Sequence, residues 1–143
     1  MSATAAQIQR LRRMTDENDL VTYDDPTVAE YIERYPLMDE RGQKPYTYDI
    51  STSPPTEDAN DDWLPTYDIN AAAADVWQEK AATLAGDFDF SADGASYERS
   101  QKHQHAIEMA AYYRRKRSMA TITQRPDVSG IDVSYVINAA EED

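Results

Sequence analysis

Cysteine is absent from this chain of 143 residues, which excludes disulfides, zinc–thiolate centres and thiol nucleophiles and fits a reducing cytoplasm. Cations are scarce: 14 Lys and Arg stand against 27 Asp and Glu, giving a formal charge of −13. That balance argues against general adhesion to nucleic acid, because phosphate contacts need Lys and Arg. No apolar run approaches the roughly 20 residues a membrane helix needs, and the N-terminal residues have no signal-peptide h-region. GxSxG, GxxxxGK[ST] and GxGxxG are missing too. The two histidines, His103 and His105, lie two apart on an expected helix and so point in different directions, unlike an i, i+4 metal pair. No enzyme, catalytic residue or cofactor is expected.

What is present is organised around residues 67–117. Asp68 is a short acceptor placed to cap a helix that opens with Ile69 and the run Ala71–Ala74, since alanine is the strongest helix former. Ile69, Ala72, Ala73, Val76, Lys80 and Leu84 fall at helical spacing, with Trp77 and Ala81 widening the stripe. Lys80 is expected to cover its stem along this stripe and send its ammonium outward. A second helix begins near Ser96, carries Ile107, Ala110, Ala111 and Arg114 on one stripe, widened by Ala106, Met109 and Tyr113, and closes with four cations, Arg114–Arg117, where the helix dipole is negative. The two elements predict an αα-hairpin over about 68–86 and 96–117, its axes brought close by facing alanines.

The hairpin loop alternates carboxylates with the chain's only two phenylalanines, Phe88 and Phe90, which need burial in the hairpin or between subunits. Trp77 and Tyr113 are expected in the same packing, and Arg99 is expected to pair with loop carboxylates. Asp87, Asp89, Ser91, Asp93 and Glu98 fit positions 1, 3, 5, 7 and 12 of an EF-hand loop, but Ala92 stands where that turn wants glycine. Capping and turn formation by Asp and Ser is the alternative for the same residues.

Outside the hairpin, residues 3–14 predict a short helix whose Arg10, Arg12 and Arg13 form a solvated face, meet acids of the same assembly or bind phosphate. Asp25-Pro26 opens another helix over 26–35, with Val28, Tyr31, Ile32 and Tyr35 on its apolar side. Residues 36–66 hold five prolines and little helical periodicity, so a long loop is expected there, anchored by Tyr46, Tyr48 and Trp63 with help from Ile50 and Leu64. Tyr46, Tyr48 and Ile50 alternate, which allows a short strand. From Thr15 to Asn70 fifteen acids meet three bases, whereas residues 1–14 carry three arginines and no acid. Ile131, Val133, Tyr135 and Ile137 repeat with period two and predict an extended C-terminal arm that completes its hydrogen bonding on another chain. The expected architecture is mainly α: a small helical bundle over 1–118 with an arm over 119–143.

The stretch from Tyr67 to Ser118 resembles the small head–tail connector proteins (adaptors, or head completion proteins) of long-tailed double-stranded DNA phages. The matching features are Tyr67-Asp68, the Ala71–Ala74 run, Trp77, Glu79-Lys80-Ala81, Asp87-Phe88-Asp89-Phe90, Ser91-Ala92-Asp93-Gly94, Arg99-Ser100 and Tyr112-Tyr113-Arg114. The resemblance implies a helical subunit of a homo-oligomeric ring, commonly of twelve copies, in the virion neck and assembled in the host cytoplasm. Such a ring docks on the portal protein and receives the stopper or tail-completion protein. DNA passes through its lumen without sequence-specific binding. Arg125, Ile131, Val133, Tyr135 and Ile137 are then expected to touch the portal or a neighbouring subunit. A calcium-binding helix–loop–helix module and an acidic regulatory or DNA-mimic protein are the alternatives.

Overall fold

The computed structural model describes residues 2–17, 20–86 and 95–119, with side chains from Ser100 onward in the last stretch. Among them are four helices, α1 (Ala5–Thr15), α2 (Asp25–Glu33), α3 (Ile69–Gly86) and α4 (Ala95–Arg115), and two strands, β1 (Tyr46–Asp49) and β2 (Thr56–Ala59). The protein is a small, mainly helical bundle.

Local chemistry explains where the helices start. Thr4 caps α1 in a reciprocal box with Gln7, its hydroxyl accepting the Gln7 N–H while the Gln7 side chain accepts the Thr4 N–H. The helix ends at Asp16, which adopts a left-handed conformation at φ 49°. Asp24 caps α2 through the Thr27 N–H, and Pro26 occupies its first turn, where a missing donor costs nothing. Asp68 caps α3 by accepting the N–H groups of Asn70 and Ala71, both at 3.1 Å, and its second oxygen accepts the Ser118 N–H at 2.7 Å. That one carboxylate therefore ties the start of α3 to the chain leaving α4. Asn70 also donates to the Lys116 carbonyl, and Trp77 meets His105 edge to face, so α3 and α4 run in opposite directions.

α3 is the central element. Ala71, Ala72, Ala73 and Ala74 are all buried, which a single apolar stripe cannot produce: the N-terminal part of α3 has neighbours on every side, whereas further along Gln78, Glu79, Ala82 and Thr83 are exposed. Ile69, Ala72, Ala73 and Val76 face Leu11 of α1, Val28 and Ile32 of α2, and Trp63 and Tyr67 from the segment before α3. Trp77 and Ala81 face Ala106 and Ala110 of α4. The stripe expected from the sequence is thus divided between two cores.

Three expectations are corrected. On α4 the buried line runs through Ala106 and Ala110 with Met109 and Tyr113 beside it, whereas Ile107 and Arg114 are exposed. Close approach to the alanines of α3 selects the smallest side chains, and the bulkier Ile107 is turned away. Lys80 does not reach into solvent: its ammonium donates to the Thr15 carbonyl at 2.7 Å, pairs with Glu17 at 2.7 Å and lies 4.9 Å from the Trp77 ring centroid. The long loop expected over 36–66 holds more than the one short strand its alternation allowed: β1 has a partner in β2, and the two form an antiparallel hairpin in the register Tyr46↔Ala59, Thr47↔Asp58, Tyr48↔Glu57 and Asp49↔Thr56.

Arg12 is a fourth surprise. Of the three N-terminal arginines, Arg10 and Arg13 are exposed, but Arg12 is buried, its Nη2 donating to the Tyr23 carbonyl (2.7 Å) and to Asp25 (2.8 Å). Its Nε and Nη1 are buried without a hydrogen-bond partner among the described residues. Each has lost water with nothing gained in return, a penalty that offsets the ion pair. Arg12→Met, which keeps the length of the side chain, is therefore expected to stay within about 1.5 kcal/mol of wild type, whereas Arg12→Ala also opens a cavity and should cost about 2 kcal/mol or more. Chemical denaturation of both variants checks the ordering.

Candidate interaction surfaces

The hairpin of β1 and β2 stands on a rigid base built by two polar side chains. Asp39, almost wholly buried, accepts the N–H groups of Arg41 (2.9 Å), Gln43 (2.8 Å) and Leu64 (3.1 Å), with the Arg41 guanidinium at 3.2 Å. Gly42, at φ 76°, closes this turn in the left-handed region that glycine enters without a steric penalty. Asn60, at the end of β2, donates from its amide to the Lys44 carbonyl at 2.8 Å, and its N–H donates to the Pro45 carbonyl at 2.9 Å. The base is fastened to the helices at Trp63, whose indole N–H donates to the Leu37 carbonyl at 2.9 Å and whose ring meets Tyr67 edge to face at 5.4 Å. The Pro36–Tyr67 bridge adds two backbone bonds, Leu37 N–H to the Thr66 carbonyl and Asp68 N–H to the Tyr35 carbonyl.

Burial pushes the Asp39 carboxyl upward, but the donors from Leu64, Gln43 and Arg41 outweigh it and hold its pKa below the ordinary aspartate range. A depressed folded pKa supplies stability that is complete above the unfolded value of about 3.9 and is lost as pH falls below it, through the folded value. The difference in unfolding free energy between wild type and Asp39→Asn should accordingly be constant near neutrality and shrink below that pH. A difference independent of pH would mean that the carboxylate charge is not what organises the turn.

Of the expected anchors, Trp63 is buried among the described residues. Tyr46 and Tyr48 lie on one face of the hairpin but are 42% and 46% exposed, and Ile50 and Leu64 are more exposed still. The reason is geometric: the sheet has two strands, and nothing among the described residues stacks on its far end. Both strands are exposed at every position, and its outer edges carry backbone groups that no further strand among the described residues covers.

At the first rung of the hairpin lies a cavity of about 260 Å³, lined by the paired Tyr46 and Ala59, by Pro45, by Trp63 and Tyr67, and by Glu33 and Pro36 from the end of α2 and just after it. Burial, then the charge of Glu33, then Tyr46 push the Tyr67 hydroxyl up to about 12. No sequence signal marked this place, since its residues are spread from 33 to 67.

Two further exposed positions lie on the flanks of α4, about 140° apart around the helix: Ile107 and Tyr112, 42% and 45% exposed. Tyr112 packs edge to face on Tyr113 and carries the Lys116 ammonium 4.2 Å from its centroid. Trp77 and Tyr113 lie within the α3–α4 packing, Trp77 donating its indole N–H to the Met14 carbonyl. Phe88, Phe90, Asp87, Asp89, Ser91 and Asp93 lie outside the described residues, as do the side chains of Glu98 and Arg99. Arg125, Ile131, Val133, Tyr135 and Ile137 also lie outside them. Among the described residues no cluster of His, Asp and Glu is placed to hold a metal ion, and no helix is long and apolar enough to cross a membrane. Comparison of the chain with protein-family models, curated proteins and solved structures finds no match.

Proposed function

We propose that this chain is a structural, ring-forming head–tail connector of a long-tailed double-stranded DNA phage, docking on the portal and joining it to the stopper or tail while DNA passes through the lumen. The reading rests first on the resemblance across Tyr67–Ser118. Within the structure, the observation that supports it best is the two-sided character of α4. Its inner face is closed by alanines against α3, and to either side of that face, about 140° apart around the helix, Ile107 and Tyr112 are left in water. Large apolar side chains held on a rigid helix on both flanks of its packed face suit a subunit with a neighbour on each side.

Two residues alone do not make a stable interface, which buries on the order of 1,000 Å² or more. The arm over 119–143 is assigned the remainder, with Arg125, Ile131, Val133, Tyr135 and Ile137 gripping the portal or the neighbouring subunit. Trp77, by contrast, packs inside the chain and is not assigned to the interface. The surplus of carboxylates suits a lumen along which DNA slides without sticking, by like-charge repulsion. No catalysis and no cofactor belong to this role.

The experiment is electron microscopy of DNA-filled, tailless heads incubated with tagged chain. The expected result is label at the single portal vertex of each head. Label scattered over the shell, or none, overturns the proposal.

A further inference from the structure

We propose that the cavity at the base of the hairpin is a docking pocket for one cationic side chain, an arginine or lysine presented by another protein chain. The inference stands apart from the ring: it follows from the walls of the cavity and from the charge around it.

Three walls are aromatic, Tyr46, Trp63 and Tyr67, and two are prolines, Pro36 and Pro45. Such a lining suits the methylene stem of Lys or Arg, and aromatic rings attract the charged head. At about 260 Å³ the space is smaller than the cavities that hold cofactors or drug-sized ligands, which begin near 300 Å³, and it matches a single side chain.

The one charged group in the lining is Glu33. Its Oε1 accepts the Ala3 N–H at 2.8 Å, and Oε2 takes no hydrogen bond from the described residues. Glu33 is also the last residue of α2, and the last turn of that helix has no base. A carboxylate there adds to the negative end of the helix dipole instead of opposing it. The next residue, Arg34, does not neutralise it, being held by Glu30 at 2.8 Å and lying 4.6 Å from the Tyr31 centroid.

The surroundings repeat the sign. Residues 39–62 carry seven acids and two bases, and one of those bases, Arg41, is already committed to Asp39 and the Asp62 carbonyl. Burial, and after it the charge of Glu33, raises the pKa of the Tyr67 hydroxyl, which places that carboxylate's charge at the aromatic wall. The walls are also set in advance, because the Trp63 indole is fixed on the Leu37 carbonyl and the aromatic pair is locked edge to face. A partner side chain therefore enters without reorganising the site, which lowers the cost of binding.

The test uses the full chain, labelled with ¹⁵N, and N-acetyl-arginine methylamide as the probe. The chain has two tryptophans, so its two indole N–H signals, assigned with Trp77→Phe, provide a reporter and an internal control. The Trp63 signal is expected to move along a saturable curve in the millimolar range while Trp77 stays in place. N-acetyl-norleucine methylamide, similar in length but uncharged, should bind about fivefold more weakly or worse. Glu33→Gln keeps an acceptor for the Ala3 N–H and should reduce the arginine probe to the level of the norleucine probe. Tyr46→Ala, a change at a half-exposed position, should weaken the arginine probe at least severalfold with both indole signals otherwise unmoved. Equal binding of the two probes, equal movement of both tryptophans or no saturable shift overturns the assignment. Light scattering of wild type and Glu33→Gln separates the two sources: a mass that falls with the substitution assigns the pocket to a second copy, and an unchanged mass assigns it to a foreign partner.

Discussion

Trp63→Ala is expected to cost about 3–5 kcal/mol, the range for removing a large aromatic from a core, and so to take a third or more of the stability of an ordinary domain. Trp63 is 4% exposed and belongs to the cluster that holds α1, α2 and α3 together. It is also the residue through which the hairpin base reaches the bundle, by its indole bond to Leu37 and its contact with Tyr67. The substitution leaves a void between Tyr67 and the hairpin base, strips the Leu37 carbonyl of its donor and releases the segment from Pro36 to Pro65. Trp63→Phe keeps most of the ring and loses mainly the hydrogen bond, worth about 1 kcal/mol. Urea denaturation of the two variants should separate by several kcal/mol. A Trp63→Ala protein within about 1 kcal/mol of wild type would mean that the hairpin is anchored elsewhere.

Ile32→Ala is the second large effect, about 2–5 kcal/mol. Ile32 is fully buried, beside Ala72 and Ala73, which are equally inaccessible. Alanines on α3 bring its backbone close to α2, so the space left by the isoleucine is walled by backbone and cannot collapse easily; the cost belongs toward the upper part of that range. Ile107→Ala offers the contrast. The same residue type, also on a helix, is 42% exposed and should change the stability of the isolated chain by no more than about 0.5 kcal/mol. If α4 forms a subunit contact, that variant instead weakens assembly. A pair of isoleucines, one affecting folding and the other affecting association, is what the proposed role requires.

The helices were legible because their ends carry chemistry that acts within a few residues. Asp68 and the pair Asp25-Pro26 mark in the sequence where the chain enters α3 and α2, and the expected spans 3–14, 26–35, 68–86 and 96–117 differ from the observed ones by no more than about two residues at each end; the caps Thr4 and Asp24 came from the structure. The faces were less legible. Periodicity finds apolar positions but does not say which of two adjacent ones turns inward, and on α4 the weight given to Ile107 misplaced a line that runs through Ala106 and Ala110. Helices that approach closely select against bulk, which inverts the usual preference for the largest side chain.

Polar burial was hidden for a different reason. Arg12 is one of three arginines in four residues, and nothing local distinguishes it from Arg10 or Arg13; its burial depends on where α2 arrives. Lys80 likewise meets Glu17 and Thr15 only because α1 ends beside α3. In residues 36–66 the alternation of Tyr46, Tyr48 and Ile50 hinted at one strand, but its partner, Thr56–Ala59, has no apolar pattern to reveal it. The cavity was beyond reach altogether. Its lining comes from the end of α2, both strands and the approach to α3, and only the fold assembles them.

The central claim is that this chain works as a repeated subunit on a portal, and its mass in solution tests that most directly. Static light scattering of the purified chain, alone and mixed with portal protein from the same genome, should show a multi-subunit ring, either in isolation or once the portal is added. A chain that remains a monomer alone and is indifferent to the portal would contradict the account.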